Sequence, residues 1–587
     1  MADLPEPARL DEVRQRNADR ADDVVTALMA HGVADVFVCP GSRSTPLVFA
    51  LERHGVRTQV FFDERVAGFA AVGAARVGRP TAVVTTSGTA VANLLPAACE
   101  ADADELAWVA VTADRPRSMI NSGANQTLDQ PPLLRGPARA VCDLDAVSET
   151  TRSRADDVDD LRQDLSHLRG PARGPVHLNV RFSKPLEPPT AHAITSTVSA
   201  PAGADDDDHG AALEPLLAAM RATMLTAKRG LFVVGGLPAQ DRAAAKRVLA
   251  AFGFCAIIDV TSGLRRASLS AIPTVSLRSP AVCAALRPDV VVWIGGASSE
   301  ETLQRFVGAL PSTTKVLQLK SGARTRDPEG RMDLVVTAPS SSWERLTGHE
   351  APSSALQPLT AGLRQNVSQA IDTVLADSGL SEPTVARAVL ASVRAGEVLL
   401  IGNSMPVRDA DRFADLAADV DSDDVDVICN RGVSGIDGTI ATALGACLVS
   451  GKPTTAFVGD LAFLHDLGGV VATAQAAAAV RIVVVNNGGG GIFSFLPVAG
   501  ASASVVERYF DTPHAFELAG IARSLGIAAR VIDDLATLQA ALSTPPARPE
   551  VIEVRTRRAD NVLVHRRLDE AIIAAAATTL AATEGSP

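Results

Sequence analysis

Two polar residues stand at the ends of two consecutive apolar, strand-like runs in the C-terminal part of the chain. Asp460 closes the run at 454–458, and Asn487 closes the run at 481–485. Because the carboxyl ends of neighbouring parallel strands meet at one edge of a sheet, we expect their side-chain oxygens to lie side by side. Hard oxygens suit Mg²⁺, which takes its remaining ligands from phosphates and water. The pair predicts a magnesium–diphosphate site, with the backbone carbonyl of Gly489 as a third candidate ligand.

Each of the two residues has a simpler interpretation. Asp460 could cap the helix that follows it, and Asn487 could end a strand in a turn. Their matched placement favours the metal site over two unrelated turns. The glycines around both turns support it, since they let backbone N–H groups approach a diphosphate closely.

Other strand-end loops carry isolated arginines, amides and hydroxyls. In the third part of the chain they are the segments at 402–408, 430–438 and 491–496. In the first part they are the segments at 39–46, 62–65, 85–93, 114–116 and 123–126. Glu64 stands between Asp63 and Arg65, so an ordinary surface salt bridge is its simplest interpretation.

Length and composition indicate a large α/β protein. The 587 residues are enough for about three or four domains of ~150 residues each. Apolar residues make up 47% and charged residues 21%, and Ala-rich helical patterns alternate with Val/Ile-rich runs, as in buried parallel sheets. The net charge of −12 argues against a nucleic-acid or anionic-membrane partner.

Cysteine usage and hydropathy predict a cytoplasmic protein. The seven cysteines are scattered without a Cys-x-x-Cys pair, which is typical of buried free thiols in a reducing compartment. The first 23 residues are charged and do not resemble a signal peptide. The apolar run at 470–480 is too short to span a bilayer.

The alternation of strand and helix patterns predicts three doubly wound parallel-sheet domains. We place the first at 1–188, a linker at 189–210, a central domain at 211–345 and the third domain at 346–587. The acidic run Asp205–Asp208 in the linker is interpreted as a solvated surface. The central domain has a Gly235-Gly236 turn but no complete G-x-G-x-x-G, so a dinucleotide site there is disfavoured.

Eight motifs in one order resemble a single family. They read Pro-Gly-Ser-Arg-Ser-Thr-Pro, Asp-Glu-Arg, Thr-Ser-Gly-Thr-Ala-Val-Ala-Asn, Ala-Asp-Arg-Pro, Gly-Ala-Asn-Gln, Asn-Arg-Gly-x-Ser-Gly-Ile-Asp-Gly, Gly-Asp-Leu and Asn-Asn-x-Gly-Gly-x-Ile-Phe. Together they resemble the MenD family of menaquinone biosynthesis, the 2-succinyl-5-enolpyruvyl-6-hydroxy-3-cyclohexene-1-carboxylate (SEPHCHC) synthases, which use thiamine diphosphate. The resemblance spans about Arg20 to Val554 and is weak in the central domain.

The resemblance implies a function and a domain nomenclature. The first domain would bind the pyrimidine ring (PYR domain) and the third the diphosphate and Mg²⁺, or Mn²⁺ (PP domain). The reaction would be decarboxylation of 2-oxoglutarate and conjugate addition of the resulting carbanion to isochorismate. Glu64 would serve the metal site of a partner subunit, so a homodimer is the smallest active unit and a homotetramer is the expected assembly.

The resemblance also implies roles for individual residues. Glu64 resembles the glutamate that hydrogen-bonds the aminopyrimidine ring, and Ile436 resembles the apolar wedge that holds the cofactor bent. Catalytic roles would fall to Glu64, Ser404, Arg408, Arg431 and Ile436. Cofactor-binding roles would fall to Pro40, Glu64, Thr86, Gln126, Ser404, Arg431, Ser434, Ile436, Gly459, Asp460, Leu461, Ala462, Asn487, Gly489 and Ile492. Substrate-binding roles would fall to Ser42, Arg43, Arg115, Asn125, Gln126, Ser404, Arg408, Arg431, Ile492, Phe493 and Leu496.

The chain departs from the family pattern at two places. Position 488 is Gly where many relatives have a third Asn, which leaves the metal spacing unchanged. Relatives carry a basic residue in the segment that reads Gly295 to Thr302 here, but this chain has no Lys or Arg until Arg305. Arg305 or another group would have to replace that charge, or the second substrate is held differently.

Two other enzyme or protein classes remain as alternatives. A different thiamine diphosphate 2-oxo acid lyase, such as an acetolactate-synthase-like enzyme, would share Glu64, Asp460 and Asn487 but should lack the cluster of isolated arginines. A catalytically silent cofactor-binding protein is disfavoured by the presence of Glu64, for which it would have no use.

Overall fold

The computed structural model describes residues 6–190, 192–193, 210–265, 271–348, 353–416 and 425–584. In this part of the chain, three separate parallel β-sheets form, each with helices between its strands. The predicted fold class, three α/β domains with parallel sheets, is confirmed. Most of the predicted linker and the run Asp205–Asp208 lie outside the described residues.

The first sheet has six parallel strands in the order β2-β1-β3-β4-β6-β5. Its strands are β1 (Asp35–Val38), β2 (Arg57–Val60), β3 (Thr81–Thr85), β4 (Trp108–Asp114), β5 (Ala140–Leu144) and β6 (Val176–Arg181). Its helices are α1 (Glu6–Ala30), α2 (Thr45–Arg53), α3 (Glu64–Arg76), α4 (Thr89–Ala92), α5 (Leu95–Ala103), α6 (Pro131–Leu134) and α7 (Arg154–Leu165). Since crossovers between parallel strands are right-handed, the reversal of strand order after β1 puts α2 and α3 on opposite faces.

The middle sheet has five parallel strands in the order β11-β10-β9-β7-β8. Its strands are β7 (Gly230–Val234), β8 (Cys255–Ile258), β9 (Val290–Ile294), β10 (Lys315–Lys320) and β11 (Leu334–Thr337). The helices around it are α8 (Gly210–Thr226), α9 (Arg242–Ala251), α10 (Pro280–Leu286) and α11 (Glu301–Gly308).

The third sheet has six parallel strands in the order β13-β12-β14-β15-β17-β16, which is the strand order of the first sheet repeated. Its strands are β12 (Val398–Ile401), β13 (Asp426–Ile428), β14 (Thr454–Gly459), β15 (Val480–Asn486), β16 (Ala528–Ile532) and β17 (Glu550–Arg555). The helices of this part are α12 (Gln357–Ala376), α13 (Glu382–Ser392), α14 (Met405–Phe413), α15 (Thr439–Ser450), α16 (Asp460–His465), α17 (Leu467–Ala476), α18 (Ala503–Val506), α19 (Leu518–Ser524), α20 (Leu535–Leu542) and α21 (Arg558–Glu584).

The chain divides into two compact units. The first unit comprises residues 1–205 and 431–451, and the second comprises residues 206–430 and 452–587. The first unit therefore contains the first sheet together with the loop from Arg431 and helix α15. The second unit contains the middle and third sheets. The predicted domain limits at 188, 210 and 345 stay predictions.

Helix α15 packs directly against α3 inside the first unit. A Cβ placed on Gly73 of α3 would lie 1.9 Å from the carbonyl oxygen of Thr442, and one on Gly445 would lie 1.8 Å from that of Ala70. A side chain at either glycine would clash with backbone, so glycine is required for the two helices to approach this closely. The contact fixes both helices, whose N-terminal ends carry predicted site residues.

The central strands were predicted from the sequence, and three edge strands were missed. These are β5 and β16, each at one end of a six-stranded sheet, and β11, at one end of the middle sheet. The sequence predicts a strand at 59–62, two residues later than the observed β2 at Arg57–Val60. Edge strands are half exposed, so they lack the unbroken apolar run by which a buried parallel strand is found. Among the described helices, none has the length and apolarity needed to cross a membrane.

Candidate active site

Asp460 and Asn487 lie at the carboxyl ends of adjacent strands in the second unit. Strands β14 and β15 pair in parallel with Gly459 opposite Val485, so the residues that follow them share one edge of the sheet. The backbone N–H of Gly489 donates to Asp460 Oδ2 over 2.9 Å, which ties the loop after β15 to the carboxylate. The three predicted metal ligands, Asp460, Asn487 and Gly489, are thus brought together.

Asn487 presents an unused oxygen atom. Its Oδ1 is buried and has no hydrogen-bond donor among the described residues. Its Nδ2, in contrast, donates to Glu382 Oε1 over 2.8 Å. A buried polar oxygen without a partner is costly unless something outside the chain binds it. The orphaned oxygen beside Asp460 fits a cation with oxygen ligands.

Asp460 is a buried carboxylate with little positive charge near it. It is 3% exposed, and burial raises its pKa against the opposing effect of the Gly489 and Leu461 N–H groups and of His514. His514 Nε2, 3.2 Å from Oδ2, is its ion-pair partner among the described residues. A bound cation would stabilise the ionised form that this environment otherwise disfavours.

A second carboxyl group, that of Glu382, contacts this pair of residues. Glu382, the first residue of α13, is 3% exposed and contacts Asn487 as described above. Burial, and then the charges of Asp409 and Asp460, raise the pKa of Glu382 to about 8. The metal edge of the third sheet therefore gathers buried carboxyl groups, and Glu382 among them keeps its proton at neutral pH.

The loop after Asn487 turns sharply. Gly489 has φ +141°, and a Cβ there would lie 2.2 Å from the carbonyl oxygen of Asp511, so the chain needs glycine at this position. Ile492 and Phe493 lie in the 3₁₀ turn Gly491–Phe495, where the Phe493 ring meets Phe510 with centroids 5.3 Å apart. Leu496 is 42% exposed. These are the apolar residues expected to contact substrate.

Ser404 and Arg408 follow β12 at the same end of the third sheet. Ser404 has φ +73° and ψ −128°, a strained conformation for a residue with a side chain, and it precedes α14. Arg408, half-buried on α14, donates to the Ser404 carbonyl over 2.7 Å. Gln126 and Ser434 also have positive φ, at +58° and +61°. Backbone strain concentrates at functional sites, and three predicted site residues carry it.

Glu64 in the first unit has a hydrogen-bond partner other than the neighbouring Arg65. Arg65 pairs with Asp63 over 2.7 Å, whereas Glu64 Oε2 accepts a hydrogen bond from Asn93 Nδ2 over 3.0 Å. Glu64 is half-buried at the start of α3. The simplest interpretation of the sequence, a surface salt bridge, is therefore wrong for Glu64.

The glycine-rich loop before α15 is hydrogen-bonded to a buried carboxylate. Glu100 of α5 is 1% exposed and accepts hydrogen bonds from the backbone N–H groups of Gly432 and Val433 over 2.9 and 2.8 Å. Arg76 of α3 pairs with Glu100. This clamp fixes the loop that carries three predicted site residues, which are Arg431, Ser434 and Ile436.

Positive charge gathers at the carboxyl edge of the first sheet. Arg43 is buried and donates to the Phe182 carbonyl over 2.8 Å. Burial, and then the nearby charge of Arg115, lower the pKa of Arg43. Arg115 donates to the Gln126 carbonyl over 2.7 Å, and Gln126 Nε2 donates to the Ser87 carbonyl over 2.9 Å. Two neighbouring guanidinium groups make this edge suitable for carboxylates.

The remaining predicted residues of this edge differ in exposure. Thr86 is buried at the end of β3, and Pro40, Ser42 and Asn125 are exposed.

The segment that lacks the family's basic residue is tied to the third sheet. Arg305 is 72% exposed on α11 and pairs with Glu301 over 2.5 Å. Buried Glu300 pairs instead with Arg412 of α14, over 2.6 Å. Ser298 and Ser299 both donate hydrogen bonds to Asp259. This segment therefore buttresses α14, the helix that carries Arg408.

Sequence reasoning missed the residues that hold others in place. Asn93, Glu100 and Glu382 contact predicted site residues or loops that lie 29, 332 and 105 positions away in the sequence. The one available signal was a carboxylate inside an apolar helix, as in Leu-Pro-Ala-Ala-Cys-Glu at 95–100.

Family comparisons match both ends of the chain. A family model described as the N-terminal TPP binding domain of thiamine pyrophosphate enzymes matches residues 19–133. The corresponding C-terminal TPP binding domain matches residues 423–554. TPP is thiamine pyrophosphate, the same molecule as thiamine diphosphate.

Curated relatives align over nearly the whole chain, and each is named 2-succinyl-5-enolpyruvyl-6-hydroxy-3-cyclohexene-1-carboxylate synthase. The protein from Rubrobacter xylanophilus is 37% identical over 93% of this chain and 96% of its own length. Those from Chlorobaculum parvum and Chloroflexus aurantiacus are 33% and 34% identical, over 93% of this chain and 95% and 94% of their own lengths. The predicted resemblance is confirmed: this chain belongs to the 2-succinyl-5-enolpyruvyl-6-hydroxy-3-cyclohexene-1-carboxylate synthase family of thiamine pyrophosphate enzymes.

Proposed function

We propose that the protein is the transferase of menaquinone biosynthesis that decarboxylates 2-oxoglutarate and adds the succinyl fragment to isochorismate, giving SEPHCHC and CO₂. The names of its relatives and the two matched TPP binding domains support this activity. The structural observation that carries the proposal is the buried Asn487 Oδ1 beside Asp460, for which the described part of the chain provides no hydrogen-bond donor.

Three residues of the second unit would hold the metal and the diphosphate end of the cofactor. Asp460, Asn487 and the Gly489 carbonyl would bind Mg²⁺, or Mn²⁺ in its place, since all three offer hard oxygens. Backbone groups of Gly459, Leu461 and Ala462, at the start of α16, would line the diphosphate, as helix N-termini favour anions. When bound, thiamine diphosphate supplies the electron sink that 2-oxo acid decarboxylation needs.

Ile436, and Glu64 supplied by a partner subunit, would act on the rest of the cofactor. Glu64 would hold a proton at its carboxyl group and donate it in a hydrogen bond to a nitrogen of the aminopyrimidine ring. Its bond from Asn93 supports this role, because that bond orients one oxygen and leaves the other available. Ile436 would pack against the cofactor from a loop that Glu100 holds in place. We propose a homodimer as the smallest active assembly and a homotetramer as the complete one.

Arginines would bind the carboxylates of the two substrates. Arg43 and Arg115 form one pair of neighbouring cations, and Arg408 and Arg431 stand after strands of the third sheet. Guanidinium groups bind carboxylates in a bidentate way, and both proposed substrates carry carboxylates. Ile492, Phe493 and Leu496 would exclude water from the reacting atoms. We place the reaction in the cytoplasm, in keeping with the scattered cysteines and the lack of a Cys-x-x-Cys pair in the sequence.

The test is a labelled assay. The protein is loaded with thiamine diphosphate and Mg²⁺, given 2-oxoglutarate labelled at its 1-carboxyl group, and followed for labelled CO₂ and adduct with and without isochorismate. We expect adduct and CO₂ to appear together. Saturation by pyruvate in preference to 2-oxoglutarate would favour an acetolactate-synthase-like enzyme. A protein that neither binds nor responds to thiamine diphosphate would overturn the proposal.

A further inference from the structure

A buried carboxylate contacts the side-chain amide of the predicted metal ligand Asn487. Glu382 is the first residue of α13, and its Oε1 accepts a hydrogen bond from Asn487 Nδ2 over 2.8 Å. The helix start is fixed by a reciprocal cap between Ser381 and Thr384. Glu382 therefore offers its carboxylate from a rigid position rather than from a mobile loop.

The two ends of an asparagine amide have nearly the same shape but opposite hydrogen-bonding character. The oxygen end accepts and the nitrogen end donates, so the partner of one end decides where the other end points. Here the nitrogen end faces Glu382, and a Cβ on Gly491 would lie only 2.6 Å from that nitrogen. The oxygen end is buried and has no donor among the described residues.

We propose that Glu382 is a positioning residue that fixes the orientation of the Asn487 amide, so that Oδ1 rather than Nδ2 faces the cation. The inference rests on the proposed metal–diphosphate site and adds to it a residue outside the ligand set. With the acceptor removed, the amide would turn over freely and present an N–H group to the cation for part of the time. Outer residues that orient ligands commonly change metal affinity by about 10- to 100-fold.

Three variants separate orientation from charge and from general stability. Glu382→Leu removes the acceptor at similar size, and Glu382→Gln keeps an acceptor oxygen without the charge. The matched control is Glu397→Leu, because Glu397 is another buried carboxylate of the second unit, placed at the opposite, amino end of β12. Each variant is checked for folding by thermal unfolding.

The measurement is Mn²⁺ binding to the thiamine diphosphate-loaded protein, read from the electron paramagnetic resonance signal of free Mn²⁺. We expect Glu382→Leu to weaken Mn²⁺ binding about 10- to 100-fold, and Glu382→Gln and Glu397→Leu to stay close to wild type. Equal losses in Glu382→Leu and Glu382→Gln would show that charge matters, and unchanged binding in Glu382→Leu would show no role; either result overturns the inference. Wild-type protein that binds neither Mn²⁺ nor thiamine diphosphate would instead refute the proposed function.

A pair exchange keeps the inference testable if Glu382→Leu does not fold. Asn487→Asp places a carboxylate against Glu382 and should weaken Mn²⁺ binding. Adding Glu382→Gln to that variant restores the hydrogen bond in the reverse direction, with the amide at 382 as donor and the carboxylate at 487 as acceptor. We expect this double variant to recover part of the lost Mn²⁺ affinity. A double variant no better than Asn487→Asp alone would contradict the proposed hydrogen bond.

Discussion

The first and third sheets have the same strand order but carry different chemistry on equivalent loops. In both sheets the predicted site residues follow the first four strands in sequence. After the first strand come Arg43 in one sheet and Ser404 in the other. After the second strand come Glu64 and the loop with Ile436. Equivalent topology therefore provides equivalent positions, and residue type decides what each position does.

The loops after the third and fourth strands show the difference most clearly. In the first sheet, buried Asp114 at the end of β4 pairs with Arg181 over 2.9 Å. In the third sheet, Asp460 after β14 has only His514 as its ion-pair partner among the described residues. Both carboxyl groups have their pKa raised by burial. The first sheet neutralises its carboxylate internally, while the third leaves one for a cation.

The largest effect is expected at Glu64. At the equivalent place, after the second strand, the third sheet has the apolar Ile436 rather than a carboxylate. Glu64→Gln keeps the hydrogen bond from Asn93 but cannot hold a proton, so we expect an intact fold and a loss of about 10²- to 10⁴-fold in kcat for CO₂ release. The measurement is the labelled-CO₂ assay with thermal unfolding as control. Normal turnover would refute the role.

The two buried aspartates test the comparison directly. Asp460→Ala removes a proposed ligand, and loss of a ligand should weaken binding at least as much as loss of a residue that only orients a ligand. We therefore expect Mg²⁺-dependent binding of thiamine diphosphate, measured by calorimetry, to weaken at least about 100-fold. The matched variant Asp114→Asn should lower thermal stability, because it removes one of the two carboxylates that pair with buried Arg181 (the other is Asp143), yet retain cofactor binding. Equal loss of cofactor in both variants would break the comparison.

A smaller effect is expected at the arginine that follows the first strand of the third sheet. Arg408→Ala should remove a charge-assisted hydrogen bond to the substrate, which contributes roughly 1.5–3 kcal/mol. We therefore expect KM for 2-oxoglutarate to rise about 10- to 100-fold and cofactor retention to stay unchanged. Steady-state kinetics measures the change in KM, and titration with thiamine diphosphate measures cofactor retention. Loss of cofactor without a change in KM would reassign Arg408.

Arg305→Ala is the matched arginine variant for that measurement. Arg305 pairs with Glu301 on the surface, and exposed pairs contribute little, so we expect kinetics close to wild type. A rise in KM for isochorismate would instead identify Arg305 as the group that replaces the family's basic residue.

The last effect is on stability and its dependence on pH rather than on turnover, and it contrasts the helices that follow the first strands. Helix α2 has no buried carboxylate, whereas α14 carries the buried Asp411. Burial, helped by the charge of Asp259, raises the pKa of Asp411 to about 7. A raised carboxyl pKa makes the folded state hold a proton that the unfolded state has lost. Stability from this group is complete below pH ~4 and is lost as pH rises to about 7, by at most about 4 kcal/mol.

Asp411→Asn should therefore flatten the fall in unfolding free energy between pH 4 and about 7. Thermal unfolding of wild type and variant across that range measures it. Parallel curves would show that Asp411 titrates normally.

The sequence was sufficient to predict the buried strands and to place polar residues at their ends. Runs such as Ile-Val-Val-Val at 482–485 are apolar throughout because both faces of a central strand are covered. Edge strand β16, with one of its five residues buried, has no such run and was missed. Glu100 and Glu382 were missed for another reason: their partners are distant in sequence, and one sequence without three-dimensional neighbours does not pair them.

The close packing of α3 and α15 limits how the molecule can move. With a carbonyl oxygen within 2 Å of where a methyl group would stand on either Gly73 or Gly445, neither helix can slide past the other without breaking backbone contacts. Glu64 at the start of one helix and Ile436 just before the other should keep a constant separation on the microsecond-to-millisecond timescale of collective motions. Entry of substrate and release of product must then depend on displacement of other segments, while this helix pair stays still throughout turnover.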